Sequence, residues 1–276
     1  MPLKLNYISE STVPVEADCI TPDCLADLSV AEIEKLELLH GNAQAPLAEF
    51  FEVSGEPGEE IIIEGDCSRV KLIGAEMSRG RIVVHGDVGM HLGAEMSGGE
   101  IEVHGSATDW VGAHMKGGKI HVHGEAGHLV GGAYRGSRSG MQGGVILIEG
   151  SAKNEIGCLM RRGLIAIGGD AGDFPGVSML AGSIFIFGMP GIRSGAGMKR
   201  GTIAVFGEEP GNSRRTLEIL PTFRYDCTYR PPFLALYLNR LRSLSFPVPE
   251  TEDGLFRRYS GDLIETGKGE ILVLEN

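Results

Sequence analysis

The chain lacks most of the equipment of a catalyst, a disulfide scaffold or a membrane protein. Its five cysteines, Cys19, Cys24, Cys67, Cys158 and Cys227, are odd in number and scattered without a Cys-x-x-Cys pair. They read as free, mostly buried thiols in a reducing compartment. No apolar run reaches 18 residues and no signal-peptide pattern opens the chain, so a soluble, cytoplasmic protein with no membrane partner is expected. No Gly-x-x-x-x-Gly-Lys-(Ser/Thr) occurs, and the glycine runs do not open a helix, which removes the usual phosphate cradle. Ser, His and Asp cannot be joined into a triad from their spacing. Carboxylates such as Glu100 and Glu102 alternate along a strand, and nothing marks either as an acid of raised pKa. No catalytic and no metal-binding residue is therefore assigned.

Positive charge is scarce and unevenly placed. The net charge is −12; residues 1–110 carry 6 Lys and Arg against 21 Asp and Glu, and residues 111–276 carry 19 against 16. Phosphate backbones need a concentrated basic face, so nucleic acid is not expected as a partner. A local basic site for a small anion remains open in the later half.

Glycine is abundant and regular. Gly65, Gly86, Gly105, Gly124, Gly150, Gly169, Gly188 and Gly207 recur at intervals of 21, 19, 19, 26, 19, 19 and 19 residues. From the second unit onward each repeat reads Met-x-x-Gly-x-Ile-x-(Val/Ile)-x-Gly. Met77, Met96, Met115, Met141, Met160, Met179 and Met198 open the units. A fixed period near 20 around a short β-branched strand marks a stacked repeat. Side chains alternate across each strand, so Ile82 and Val84, Ile101 and Val103, and their successors to Ile203 and Val205 share one apolar face. Stacked at about 4.8 Å per coil, these pairs form ladders inside a narrow prism, with methionines filling corner space and glycines turning the corners through positive φ. The expectation is all-β: a right-handed, single-stranded parallel β-helix of about eight coils of 19 residues, flanked by α-containing terminal caps.

Three regions follow. Residues 1–55 form an N-terminal cap with a helix expected over Val30–Leu39, where Ser29 and Glu32 have capping-box spacing and His40-Gly41 would stop it. Residues 56–210 are the glycine-rich helix of strands. Residues 211–276 form a capping and subunit-contact segment in which Pro231-Pro232 introduces a helix from Phe233 to Leu241.

Candidate surfaces come from departures from the rhythm. His85, His104 and His123 occupy one rung position and should stack on the outer face, with His121 two residues from His123. A straight ladder spreads imidazoles, whereas zinc needs them to converge near 2.0 Å on one point. The ladder thus reads first as a solvated or capped surface, with a protonation-sensitive contact or a metal role as alternatives. In the 26-residue interval, residues 132–140 must leave the stack as a loop, and loops on solenoids often carry function. Tyr134, Arg135 and Arg138 there could grip a carboxylate-rich group or contact a subunit. Farther along, the outer positions become Leu147, Ala166, Phe185, Phe187, Ala204 and Phe206. Phe187 and Phe206 should stack and be covered by the chain's own tail helix or by another subunit.

Leu39-His40-Gly41-Asn42, Phe50-Phe51-Glu52-Val53-Ser54-Gly55, the Met-x-Gly-Gly repeats, and Tyr134-Arg135-Gly136 followed by Gly140-Met141-x-Gly-Gly resemble the C-subunit family of formylmethanofuran dehydrogenase over about residues 35–210. The repeats also resemble the carboxy-terminal β-helix of the large glutamate synthase subunit. Tyr229-Arg230-Pro231-Pro232-Phe233-Leu234-Ala235 and Phe256-Arg257-Arg258-Tyr259-Ser260-Gly261-Asp262 look like the bacterial version, from the formyltransferase/hydrolase complex of methylotrophs. The resemblance implies a non-catalytic scaffold beside subunits A, B and D. One partner would transfer formyl between tetrahydromethanopterin and a methanofuran-type carrier with a glutamate tail; another, holding the metals, would release formate. No cofactor is expected in this chain. The C subunit of a molybdenum or tungsten formylmethanofuran dehydrogenase, or a glutamate-synthase-like spacer, is the alternative.

Overall fold

Isoleucine sits on isoleucine through nine successive strands. In the computed structural model, which describes residues 1–207, 217–249 and 254–275, Ile61, Ile82, Ile101, Ile120, Ile146, Ile165, Ile184, Ile203 and Ile271 pair in parallel register. All nine are fully buried. Two residues on, Ile63, Val84, Val103, Val122, Ile148, Ile167, Ile186, Val205 and Val273 form the companion ladder, also buried. Burying one such side chain is worth roughly 1.5–3 kcal/mol, and the in-register stack repeats that gain in every strand. A second line of parallel bridges runs through Cys67, Val88, Ala107, Ala126, Ala152 and Ala171, one per repeat.

The described residues form one large mixed sheet of 13 strands and a small one of four. Both ends of the large sheet are closed by the flanks. Pro2–Tyr7 runs parallel to Glu56–Glu64, placing Leu3 on Ile61 and Leu5 on Ile63, and then pairs antiparallel with Phe51–Ser54. At the other end Lys268–Glu275 supplies the ninth rung beside Arg200–Val205. Leu255–Gly261 and Arg224–Tyr229 then fold over it antiparallel. The outermost strands thus pair antiparallel with their neighbours and cover an otherwise open edge. The expected boundary at 210/211 lies outside the described residues.

Glycine acts here in two ways, only one of which is positive φ. Gly93 has φ +58°, and a Cβ there would meet Ile120 Cδ1 at 2.6 Å. Gly86 has no left-handed backbone; a Cβ on it would lie 2.1 Å from the Gly65 carbonyl oxygen. From Gly86 onward, close approach of successive turns rather than conformational freedom demands glycine at the marker position; the first marker, Gly65, has φ +98°. Conversely, non-glycines hold one corner throughout: Leu72, His91, Trp110, Leu129, Glu155, Phe174 and Arg193 all have φ between 60° and 67°. Their strain is offset by hydrogen bonds to the next turn, such as His91 N–H to Asp109 O at 3.0 Å and Trp110 N–H to His128 O at 2.8 Å. The expectation that glycine alone turns the corners is corrected accordingly. The seven repeat methionines are fully buried.

The helix expected over Val30–Leu39 is cut short. Ser29 and Glu32 do form the capping box, but the helix spans only Val30–Ile33. Glu37–His40 is instead a strand paired antiparallel with Ala43–Pro46, and Gly41 (φ +65°) turns that hairpin. Burial of Leu38 on one face of a paired strand outweighs local helix propensity. The tail helix does form, over Pro232–Ser243, with Leu234, Leu238 and Leu241 buried. Together with Phe246 just beyond it and Phe256 of the strand Leu255–Gly261, this helix covers the apolar outer wall. Phe185 packs against Tyr237 at 5.3 Å, Phe187 against Phe246 at 5.7 Å and Phe206 against Phe256 at 5.5 Å. Phe187 and Phe206 stack at 4.7 Å. All five cysteines are free, yet only Cys67 is buried; Cys24 and Cys227 are exposed, so the expectation of mostly buried thiols is also corrected. Among the described residues no helix is long and apolar enough to cross a membrane.

Candidate functional site

The loop 132–140 is anchored at its first aromatic residue. Tyr134 donates its backbone N–H to His114 Nε2 at 2.9 Å, which fixes that nitrogen as an acceptor, and its hydroxyl lies 3.0 Å from His91 Nδ1. Its ring leans on His114 at 5.0 Å and on His91 at 5.4 Å. His91 stacks on Trp110 at 5.2 Å because both occupy the left-handed corner in consecutive repeats. Burial pushes the Tyr134 phenol up, with Glu95 adding to the effect, and pushes the His91 imidazole down, with Lys71 adding to it.

Tyr134 also lines an open cavity of about 630 Å³ whose walls carry Asp18, Asp23, Glu76 and Glu95. Arg135 and Arg138 are exposed, do not line that cavity, and form no ion pair among the described residues. The structure thus separates the three loop residues: Tyr134 is built into the wall, and the two arginines are presented to solvent. Sequence reasoning missed His91, Trp110 and His114. The 19-residue step from His91 to Trp110 was the available signal, since it places both at one corner.

The histidine ladder stands as spaced: His85 and His104 stack at 4.8 Å, and His104 and His123 at 4.9 Å. Carboxylates join it from neighbouring strands. His123 Nε2 lies 3.2 Å from Glu102 Oε1, while His123 Nδ1 and His121 Nε2 each lie 2.9 Å from Glu149 Oε1. Arg81 Nη2 donates to Glu102 Oε2 at 2.5 Å. Burial alone would raise the Glu102 carboxyl, but hydrogen bonds from Arg81 and His123 and the adjacent positive charge hold it down at about 2. His121 is buried, and that burial, with His123 beside it, holds its imidazole below the ordinary range despite Glu149. Glu149 was legible in principle, because it occupies the rung position of His123 in the next coil.

No family model matches this chain. The C subunit of molybdenum-containing formylmethanofuran dehydrogenase 1 from Methanothermobacter thermautotrophicus is 45% identical over 86 residues, 30% of this chain and 22% of that relative. The C subunit of tungsten-containing formylmethanofuran dehydrogenase 2 from Methanothermobacter wolfeii is 46% identical over 85 residues, 29% of this chain and 32% of that relative. These matches span about a fifth to a third of the curated relatives. An end-to-end likeness comes from a solved structure, the formyltransferase/hydrolase complex (FhcABCD) of Methylorubrum extorquens with methylofuran. One of its chains superposes with a TM-score of 0.89 at 35% identity, covering 99% of this chain and 100% of that one.

The chain belongs to the C-subunit family of formylmethanofuran dehydrogenase. The likeness to the Methylorubrum chain covers nearly the whole sequence, whereas the two curated matches cover 30% and 29% of it.

Proposed function

We propose that this chain is a non-catalytic scaffold subunit of a formyltransferase/hydrolase complex. That complex moves a formyl group from formyl-tetrahydromethanopterin to a methanofuran-type carrier and releases formate. The observation that carries this reading is the likeness, over 99% of the chain, to a component of a formyltransferase/hydrolase complex. The partners would be subunits A, B and D, with the metals in the hydrolase subunit and the carrier shared between partners. We read the in-register rungs and the second bridge ladder as the walls of a right-handed parallel β-helix, a rigid rod suited to holding other chains at fixed spacing.

Within that assembly the loop is the best surface for contact. Exposed arginines can pair bidentately with carboxylates of a partner or of the carrier's glutamate tail. The acidic cavity beside Tyr134 weighs toward a partner chain, since an anionic tail would be repelled there. Assays of the purified chain for formyl transfer and formate release test the scaffold role. No turnover is expected from the chain alone; turnover proportional to its concentration would overturn the reading.

A further inference from the structure

The outer wall holds a second arrangement that scaffolding does not explain. His121 and His123 leave one strand on the same face two residues apart, and Glu149 meets both from the adjoining strand. Each of the three offers a donor atom, and these atoms all lie within 4.8 Å of one another. Glu149 Oε1 faces an imidazole nitrogen of each histidine at 2.9 Å, and His123 turns its other nitrogen to Glu102 Oε1 at 3.2 Å. Three nitrogens are thus directed at two carboxylates. Each contact needs a proton or a cation between its atoms, because a bare imidazole lone pair and a carboxylate oxygen repel.

We propose that His121, His123 and Glu149 form a binding site for a divalent first-row transition metal, zinc foremost. Imidazole nitrogen and carboxylate oxygen are the donors such ions select. Bonds of about 2.0–2.1 Å in tetrahedral geometry set ligand atoms about 3.3 Å apart. The two contacts to Glu149 Oε1, at 2.9 Å, need open by only a few tenths of an ångström. His121 is only 3% exposed, and Phe246 of the tail lies 6.5 Å from its ring, giving the site one dry, fixed wall. His123 and Glu149 are partly open to solvent at 29% and 26%, which leaves an entry path. Glu102 orients His123 from the far side as an outer carboxylate and is itself held by Arg81. His85 and His104 continue the ladder away from Glu149 and stand outside the ligand set.

The full-length chain, stripped with chelator, is titrated with Co²⁺ followed by visible absorption and with Zn²⁺ followed by calorimetry. One equivalent of each should bind, with Zn²⁺ displacing the Co²⁺ bands. His123→Ala and Glu149→Gln should each weaken binding at least about tenfold, the scale on which even outer partners of a ligand act. His85→Ala should leave affinity unchanged. Circular dichroism establishes that each variant is folded, and since His123 and Glu149 are partly exposed, neither change empties the core. No stoichiometric binding to the folded wild type would overturn the site. So would binding that survives both ligand changes, or that falls equally in His85→Ala.

Discussion

Ile146 lies in register directly on Ile120, although 26 residues separate them where the other ladder pairs beyond Ile82 stand 19 apart up to Ile203. The extra seven residues are passed out into the loop that carries Tyr134, and the ladder closes beneath them. Packing therefore fixes the register, and the loop adapts. Ile146→Asp would put an unpaired charge between Ile120 and Ile165 and should cost about 3–5 kcal/mol. His104→Ala, on the exposed outer face, should cost under about 1 kcal/mol. Urea midpoints of the two variants measure the contrast, and equal shifts would mean that the inward and outward faces are wrongly assigned.

Two glycines separate close approach from conformational freedom. Gly86→Ala sets a methyl group against the Gly65 carbonyl, a backbone atom that cannot swing aside, and should destabilise by at least about 2 kcal/mol. Gly58 has nothing within 4 Å of its would-be Cβ, so Gly58→Ala should be neutral or stabilise by up to about 1 kcal/mol. Thermal melts of both test this; a harmless Gly86→Ala would show that the turns have room to spare.

Much of this was legible in the sequence, because the repeat states its own register. The inward pairs, the outward histidines and the stacked phenylalanines Phe187 and Phe206 all follow from period 2 within strands and 19 between them. The ninth rung was not legible. Ile271 is separated from Ile203 by a tail with no glycine rhythm, and only the fold returns Lys268–Glu275 to the sheet edge. Glu37–His40 misled for a related reason: its helical spacing is local, whereas its pairing with Ala43–Pro46 and the burial of Leu38 are tertiary. At the candidate sites, residue types were readable but meetings were not. His91, Trp110 and His114 come to Tyr134 only because the left-handed corner repeats, and Glu149 comes to His121 only because the long interval keeps register.

The Tyr134 corner should register pH. His91 is held below the ordinary imidazole value of 6.5, first by burial and then by Lys71. The unfolded chain therefore takes up this proton first as pH falls, so the stability due to neutral His91 is fully present above about pH 6.5 and is lost below it. Asp23 is also held down. Burial works against this, but hydrogen bonds from Ser78 outweigh it. Its contribution is present above the ordinary 3.8 and lost as pH falls below that value. Denaturation midpoints taken from about pH 8 to pH 5 should decline below 6.5 in the wild type and less steeply in His91→Gln. Parallel curves would remove His91 from the account.

Arg135 and Arg138 carry the loop's remaining claim. Both are exposed, so Arg135→Ala with Arg138→Ala should leave the melting temperature within experimental scatter of the wild type. A well-paired charged hydrogen bond contributes roughly 1.5–3 kcal/mol, so loss of both should weaken partner retention by tenfold or more. Quantitative co-purification measures it; unchanged retention, carrier content and turnover would leave the loop without a role.

Native mass spectrometry of the assembly isolated through a tag on this chain, in its native host, tests the scaffold reading most directly. The expected result is one complex holding this chain with three further kinds of subunit, releasing formate from formyl-tetrahydromethanopterin at a rate that the tagged chain alone does not show. Recovery of the chain by itself from gently cross-linked extract, with formate-releasing activity absent from the eluate, would contradict it.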